Sequence, residues 1–208
     1  QAYDLKGIDI TEKRKKVRYD HEWNKKFVQC VWRPLDIRFL YYNTELIDRP
    51  CRQITEPLLQ SNLALLAMRQ IALHNGCSHF LAVNYPVIDR IFYSNKGAAS
   101  VFPLYLYSDI DTKKSQQSLL NLNASQESRH ANLSPTFIDD TAKRLTLRFI
   151  PDGTGDLKKT FGPEDMFYYT YAVFHSPTYR TRYAEFLKID FPRLPLTSDL
   201  ALFKTLTP

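Results

Sequence analysis

The chain is poor in glycine, with six among 208 residues. Neither GxxxxGK nor GxGxxG occurs, so there is no stretch of bare backbone that could cradle ATP or a dinucleotide. Cysteine is scarce as well. Cys30, Cys51 and Cys77 stand far apart, form no CxxC pair and have no histidine at zinc-site spacing, which leaves buried cytosolic thiols as the expectation. No window approaches the roughly 18 uncharged apolar residues of a membrane span, and no leader with a basic start and apolar middle is present. The five histidines are scattered, without a GxSxG. His175, at a predicted helix end among aromatic residues, reads as a core or capping histidine ahead of a general base.

Two stretches resemble catalytic motifs and fall short of them. PDGTGDLKK (151–159) offers acids and lysines, yet both aspartates sit in one Gly-rich turn instead of converging on a metal from separate strands. SPTY (176–179) lacks the second proline of the loop with which amino methyltransferases hold an extruded base, and it reads as a helix break. No catalytic or metal-binding residue is therefore assigned, and no enzyme activity is expected of this chain alone.

What is present is length for one full core, an aromatic-rich C-terminal third and a formal charge of +6. The chain opens at Gln1 without an initiator Met, and the expectation is a piece of a longer polypeptide. Residues 11–26, TEKRKKVRYDHEWNKK, carry seven positive and three negative charges. Residues 1–26 are expected to form a basic entry segment or linker. Such a run serves either as a solvated face or as a contact to nucleic acid.

From residue 27 onwards the expected domain has three parts. In the strand-rich part (27–107), FVQCVW turns through RPLD into IRFLYY as a hairpin or corner. Residues 56–60 form a helical turn and NLALLAMRQ (62–70) a buried strand, with further strands at 79–84, 90–94 and 102–107. Residues 108–132 hold eleven Ser, Asn and Gln and no aromatic, which predicts a polar loop. The part from 133 to 208 is helical. Ser134-Pro135 starts a helix to about Leu145, Gly162-Pro163 starts a second, and Ser176-Pro177 breaks it and caps a third to about Lys188. In that third helix Tyr179, Tyr183, Phe186 and Leu187 fall on one stripe, with Arg182 and Glu185 spaced to pair on another face. Strands followed by helices give an α+β class, not alternating βαβ units.

The helical block GPEDMFYYTYAVFHSPTYRTRYAEFLKIDFPRLPL, with VWRPLDIRFLYY (31–42), LIDRPCRQ (46–53), NLALLAMRQ and VFPLYLY (101–107), resembles the C-terminal specificity domain of type ISP restriction-modification enzymes. The resemblance spans about residues 23–203. Where many relatives have Arg-Pro-Phe-Asp, this chain has Arg33-Pro34-Leu35-Asp36. The resemblance implies a target recognition domain of a cytoplasmic prokaryotic enzyme that also carries an adenine methyltransferase, an ATP-driven translocase and a nuclease. S-adenosylmethionine, ATP and Mg would serve those other parts, with no cofactor in this chain. The implied partners are double-stranded DNA and the methyltransferase domain of the same polypeptide, against which the helical block would pack, with no membrane partner. The alternative is a protein-interaction or coupling module of such an enzyme without direct DNA contact.

A domain that reads duplex DNA needs cations for phosphate register and planar donors and acceptors for base edges. MRQIALHNGCSH (68–79) gathers Arg69, Gln70, His74, Asn75 and His79 around one turn, and 93–97 forms a second polar turn with Asn95 and Lys96. Arg69, Gln70, His74, Asn75, His79 and Asn95 are the candidate base readers. Lys13, Arg14, Lys15, Arg33, Arg38 and Lys96 are the candidate phosphate contacts. For Arg33 and Arg38 the alternative is a structural pair with Asp36, which is close enough to engage either.

Overall fold

The computed structural model describes residues 10–47, 51–70, 80–92, 97–107 and 129–207. The basic entry folds into the helix Ile10–Arg18, followed by a 3-10 turn, Trp23–Lys26. Both are fastened to their neighbours: Lys13 Nζ donates to Leu46 O at 3.4 Å, and Asp20 accepts from Lys26 Nζ at 2.6 Å and from the Tyr41 hydroxyl. Strands β1 (Phe27–Arg33) and β2 (Asp36–Tyr41) form the expected antiparallel hairpin. Its turn places Leu35 at φ 67, in the left-handed region.

A 3-10 turn at Glu56–Leu59 leads into a three-stranded antiparallel sheet of order β4 (Phe80–Val83), β3 (Ala64–Ala67), β5 (Ser100–Pro103). Ala64 and Leu66 on one face, and Ala67 with its partner Phe80 on the other, are all buried. A strand covered on both faces reads as a continuous apolar run, which is why 62–70 does so. β3 is shorter than that run because Asn62 turns inward. Its Nδ2 donates to Pro57 O and Tyr105 O, and its Oδ1 accepts from Leu63 N and Tyr105 N, between 2.8 and 3.2 Å. A buried amide is thereby satisfied at both ends.

The same contact splits the expected 102–107 strand. β5 ends at Pro103, and β6 (Tyr105–Tyr107) pairs instead with β7 (Arg129–Ala131). β7 corrects the expectation of a loop through 132, while residues 108–128 lie outside the described ones. Arg129 is held there by the Tyr105 ring, 4.0 Å from its guanidinium carbon, and by Asp152 at 2.5 Å. The strand expected at 90–94 does not form over its described residues. Ile91 and Phe92 are buried in a bend, so their apolar side chains report core anchoring without a ladder. Cys30 is buried as expected, Cys51 is exposed, and Cys77 lies outside the described residues.

The helical part follows its punctuation. Ser134 Oγ accepts from Phe137 N at the start of Pro135–Leu145, and Thr146 ends that helix at φ 55. Ser176 Oγ accepts from Tyr179 N after Pro163–His175. The third helix departs from expectation. Pro177–Arg182 stops at Tyr183 (φ −106, ψ 17) before a short turn, Ala184–Leu187. The break ends the 3.6-residue period, so Tyr179 and Leu187 are buried, Tyr183 is half-buried and Phe186 is 70% exposed. Glu185 pairs with Lys188 at 2.7 Å, and Arg182 lies 5.8 Å from the Tyr183 ring centre. A last helix, Leu200–Leu206, was not anticipated; Asp199 Oδ1 caps it through Ala201 N and Leu202 N. The tyrosines anchor the exit segment: Tyr169 OH donates to Pro195 O at 2.7 Å and Tyr179 OH to Arg193 O at 2.8 Å.

The PDGTGDLKK turn joins the short parallel pair β8 (Arg148–Phe149) and β9 (Thr160–Phe161). Asp156 of this turn, and Asp165 beyond it, serve the backbone. Asp156 Oδ1 accepts from the amides of Lys158, Lys159 and Thr160, and these donors hold its carboxyl far below the usual range. Buried Asp165 receives Gly155 N at 2.6 Å and Gly162 N at 2.7 Å. Gly162 is required here, because a Cβ at that position would lie 2.1 Å from Gly153 O. Asp165→Ala should destabilise the chain by about 3 kcal/mol, since two N–H groups lose a charged acceptor. Asp156→Ala, at an exposed turn, should cost less. Denaturant titration of both variants measures the difference, and wild-type stability for Asp165→Ala would refute the assignment.

Candidate nucleic-acid interface

The antiparallel register brings three chain ends together. Ala67, the last residue of β3, pairs with Phe80, the first of β4, and with Ser100, the first of β5. The chain therefore leaves the sheet towards 68–79 and returns from 93–97 at the same end. Both polar segments picked out as base-reading candidates start or finish there.

Arg69 and Gln70 are described at this end, whereas His74, Asn75, His79, Asn95 and Lys96 lie outside the described residues. The Arg69 side chain is 69% exposed, and its Nε donates to Asp190 Oδ1 at 3.1 Å. Gln70 Nε2 donates to Ile189 O at 3.2 Å. A turn of the helical block thus backs both side chains. Phe102 and Phe191 meet edge to face beside them, with centroids 5.8 Å apart. The Phe191 amide first, and Arg69 second, hold the Asp190 carboxyl below the usual carboxylate range. Asp190, Ile189 and Phe191 were missed in the sequence. The partners Arg69 and Asp190 are 121 positions apart, and no local pattern marks such a pair.

The phosphate candidates divide by how each charge is engaged. Arg14 and Lys15 are exposed on the helix Ile10–Arg18, while Lys13 is half-buried against Leu46 O. Arg38 grips Asp36 through three hydrogen bonds of 2.9–3.2 Å, so the structural alternative holds for that residue. Arg33 donates instead to the carbonyl oxygens of Trp32 and Arg90, both at 2.9 Å, which orient the guanidinium without neutralising it.

No cluster of three His, Cys, Asp or Glu that could hold a metal occurs among the described residues. His175 Nδ1 lies 2.7 Å from Arg180 Nη2, and its ring packs on Tyr171 at 4.3 Å. Burial, then Arg180, lowers its basicity, consistent with a packed histidine. An apolar groove of about 500 Å³ runs between Pro163–His175 and the exit segment, lined by Tyr169, Val173, Tyr179 and Leu202 among others. Arg182 is the charged residue in its lining. No described helix is long and apolar enough to cross a membrane.

The model of the family described as Type ISP C-terminal specificity domain matches residues 3–207. No curated protein matches. Among solved structures, the chain is similar to part of the ATP-dependent Type ISP restriction-modification enzyme LlaBIII bound to DNA, at 23% identity and TM-score 0.61, over 93% of this chain and 11% of that one. It is also similar to part of the DrdV–DNA complex, at 20% identity and TM-score 0.61, over 86% of this chain and 15% of that one. A nuclease-deletion mutant of the Type ISP enzyme LlaGI, in complex with a DNA substrate mimic, matches at 21% identity and TM-score 0.52, over 87% and 13%. These likenesses support the α+β fold, and the chain spans only 11–15% of each of those polypeptides.

The Asp190 carboxyl is depressed, so its contact is intact above the ordinary value near 4 and is lost as pH falls through the lower folded value. An NMR titration of its carboxyl carbon should give a midpoint below about 4. In Arg69→Ala the midpoint should rise part of the way back, the Phe191 amide keeping its share. An unmoved midpoint would show that the pair does not form in solution.

Proposed function

The chain belongs to the family of Type ISP C-terminal specificity domains, and on that premise we propose that it reads a short double-stranded DNA sequence for a larger restriction-modification enzyme. A specificity domain selects the site and does no chemistry itself. Adenine methylation and ATP-dependent cleavage belong to other parts of the polypeptide, where S-adenosylmethionine, ATP and Mg act. The setting is the cytoplasm of a prokaryote.

The observation that carries this reading is the convergence of the two polar segments at one end of the sheet β4–β3–β5. A sheet end from which both segments leave or return could span a few base pairs, with Arg69 and Gln70 at it. Arginine suits guanine and glutamine suits adenine, because each can make two hydrogen bonds to one base edge in the major groove. His74, Asn75, His79 and Asn95 complete the proposed reading set, and Arg14, Lys15, Arg33 and Lys96 the phosphate set. LlaBIII and DrdV, whose structures contain DNA, share this fold, which supports the same use here.

Binding of the chain to duplex DNA should weaken with salt, with a log–log slope equivalent to several released counterions. A coupling module without DNA contact would bind no duplex. Arg69→Ala should lose about 1–3 kcal/mol on the cognate site and relax preference at one base pair. Lys15→Ala should weaken cognate and random duplexes alike and lower the slope by about one. Fluorescence anisotropy on single-base variants of the mapped site, at two salt concentrations, separates these outcomes. Uniform weakening by Arg69→Ala would move that residue to the phosphate set.

A further inference from the structure

The β1–β2 hairpin carries large apolar side chains in solvent. Register pairs Phe27 with Tyr41, Gln29 with Phe39 and Val31 with Ile37, so these side chains share one face, while Val28, Cys30 and Leu40 point the other way. The second face meets the protein at buried Cys30 and half-buried Val28 and Leu40, while Arg38 on it stays exposed. The first face should then be polar. Val31 on this face is buried in the core, but Phe27 (49%), Ile37 (50%) and Phe39 (72%) are exposed on it. Exposed Trp23 extends the patch, edge-on to Phe27 at 6.0 Å. At the tip, Leu35 stands in solvent at φ 67, the positive φ that the turn after Pro34 requires.

Contiguous exposed apolar surface of this kind marks an interaction site. Its chemistry selects the partner class. Phe27, Gln29, Ile37 and Phe39 carry no charge, whereas a face that tracks a duplex needs cations. Aromatic enrichment with depleted charge is the composition of a protein–protein interface core. We infer that this hairpin face docks on an apolar surface of another domain of the same polypeptide. The inference rests on the proposed reading of the chain as one domain of a larger enzyme, and the similar solved chains are indeed much longer than this one.

The hairpin is also tied to the body of the domain. Val31 N donates to Pro86 O at 2.8 Å, Ile88 N to Val31 O at 3.4 Å, and Arg33 to Arg90 O. Docking there would set the position of the segment that leads into the proposed reading turn at 93–97.

Hydroxyl-radical footprinting of Trp23, Phe27 and Phe39 tests the inference, comparing the 208-residue chain with the full-length polypeptide in the absence of DNA. Oxidation should fall several-fold in the full-length protein. Phe39→Glu should restore oxidation of Trp23 and Phe27 there, while leaving the melting temperature of the 208-residue chain unchanged. Equal oxidation of the two wild-type proteins would overturn the proposal even if the variant fails to fold. So would protection in the 208-residue chain that grows with its concentration, which would mean a second copy, or protection that appears only when duplex is added. Duplex binding by the 208-residue chain is measured in parallel. Its absence alongside a protected hairpin would refute the DNA-reading proposal and leave the docking face standing.

Discussion

One face of the sheet β4–β3–β5 is sealed by the helix Pro163–His175, and the other parts of the fold take their places from that contact. Phe80 of β4 stacks on Phe174 at 4.8 Å, and Met166, Tyr169 and Val173 join Leu66, Ala67 and Met68 in one cluster. Each fully buried side chain of this size contributes roughly 1.5–3 kcal/mol. The helix can lie there only because both of its ends are defined, by Asp165 returning to Gly162 N and by Ser176 capping the next helix. With the helix fixed, its tyrosines can reach the exit segment. That segment contains prolines, which cannot pair as an ordinary strand, so its carbonyl groups at 193 and 195 are satisfied by side-chain hydroxyls instead.

The parts of this fold that were legible in the sequence are those governed by local chemistry. Ser134-Pro135, Gly162-Pro163 and Ser176-Pro177 each start a helix within a residue of expectation, and Arg33–Asp36 turns a hairpin. The features that were not legible depend on distant partners. The split at Leu104 follows from the amide of Asn62, and β7 from the stacking of Arg129 on Tyr105. The break at Tyr183 lies inside a run with good helical period and no proline or glycine, and the periodicity that predicts a buried Phe186 does not survive it. Ile91 and Phe92 show the converse, an apolar run that is buried without a ladder. At the candidate site the sequence identified Arg69 and Gln70 as polar residues after a strand. Nothing in it pointed to the turn at 189–191 that holds them.

Several of the described carboxylates are taken up by the protein's own donors. A metal ligand must keep its lone pairs available. Asp156 and Asp165 give theirs to backbone amides, Asp152 to Arg129, and Asp36 to Arg38. Asp190 is different in consequence. Its pair with Arg69 is solvent-exposed and joins two parts of the fold through one weak contact. A weak contact suits a reader, because a guanidinium held by a single exposed carboxylate can turn to a base edge without leaving a buried charge unpaired.

Two surfaces of opposite chemistry then arise from one body. At the sheet end, charged and amide side chains stand over a backbone fixed by the β3 register, and their energy of interaction would fall with salt. On the hairpin, uncharged rings stand over a backbone fixed by Val31 and Arg33, and an apolar contact there would be nearly indifferent to salt. If both proposals hold, such a division would let the domain remain attached to its enzyme while it releases one duplex and samples the next. If a single surface did both tasks, conditions that loosened the DNA would loosen the domain as well. The segment 86–92 links the hairpin to the core: it binds the hairpin through Pro86 and Arg90, and its Ile91 and Phe92 are buried in the core cluster. A shift of the hairpin on its proposed partner would therefore be felt by the core through packed side chains.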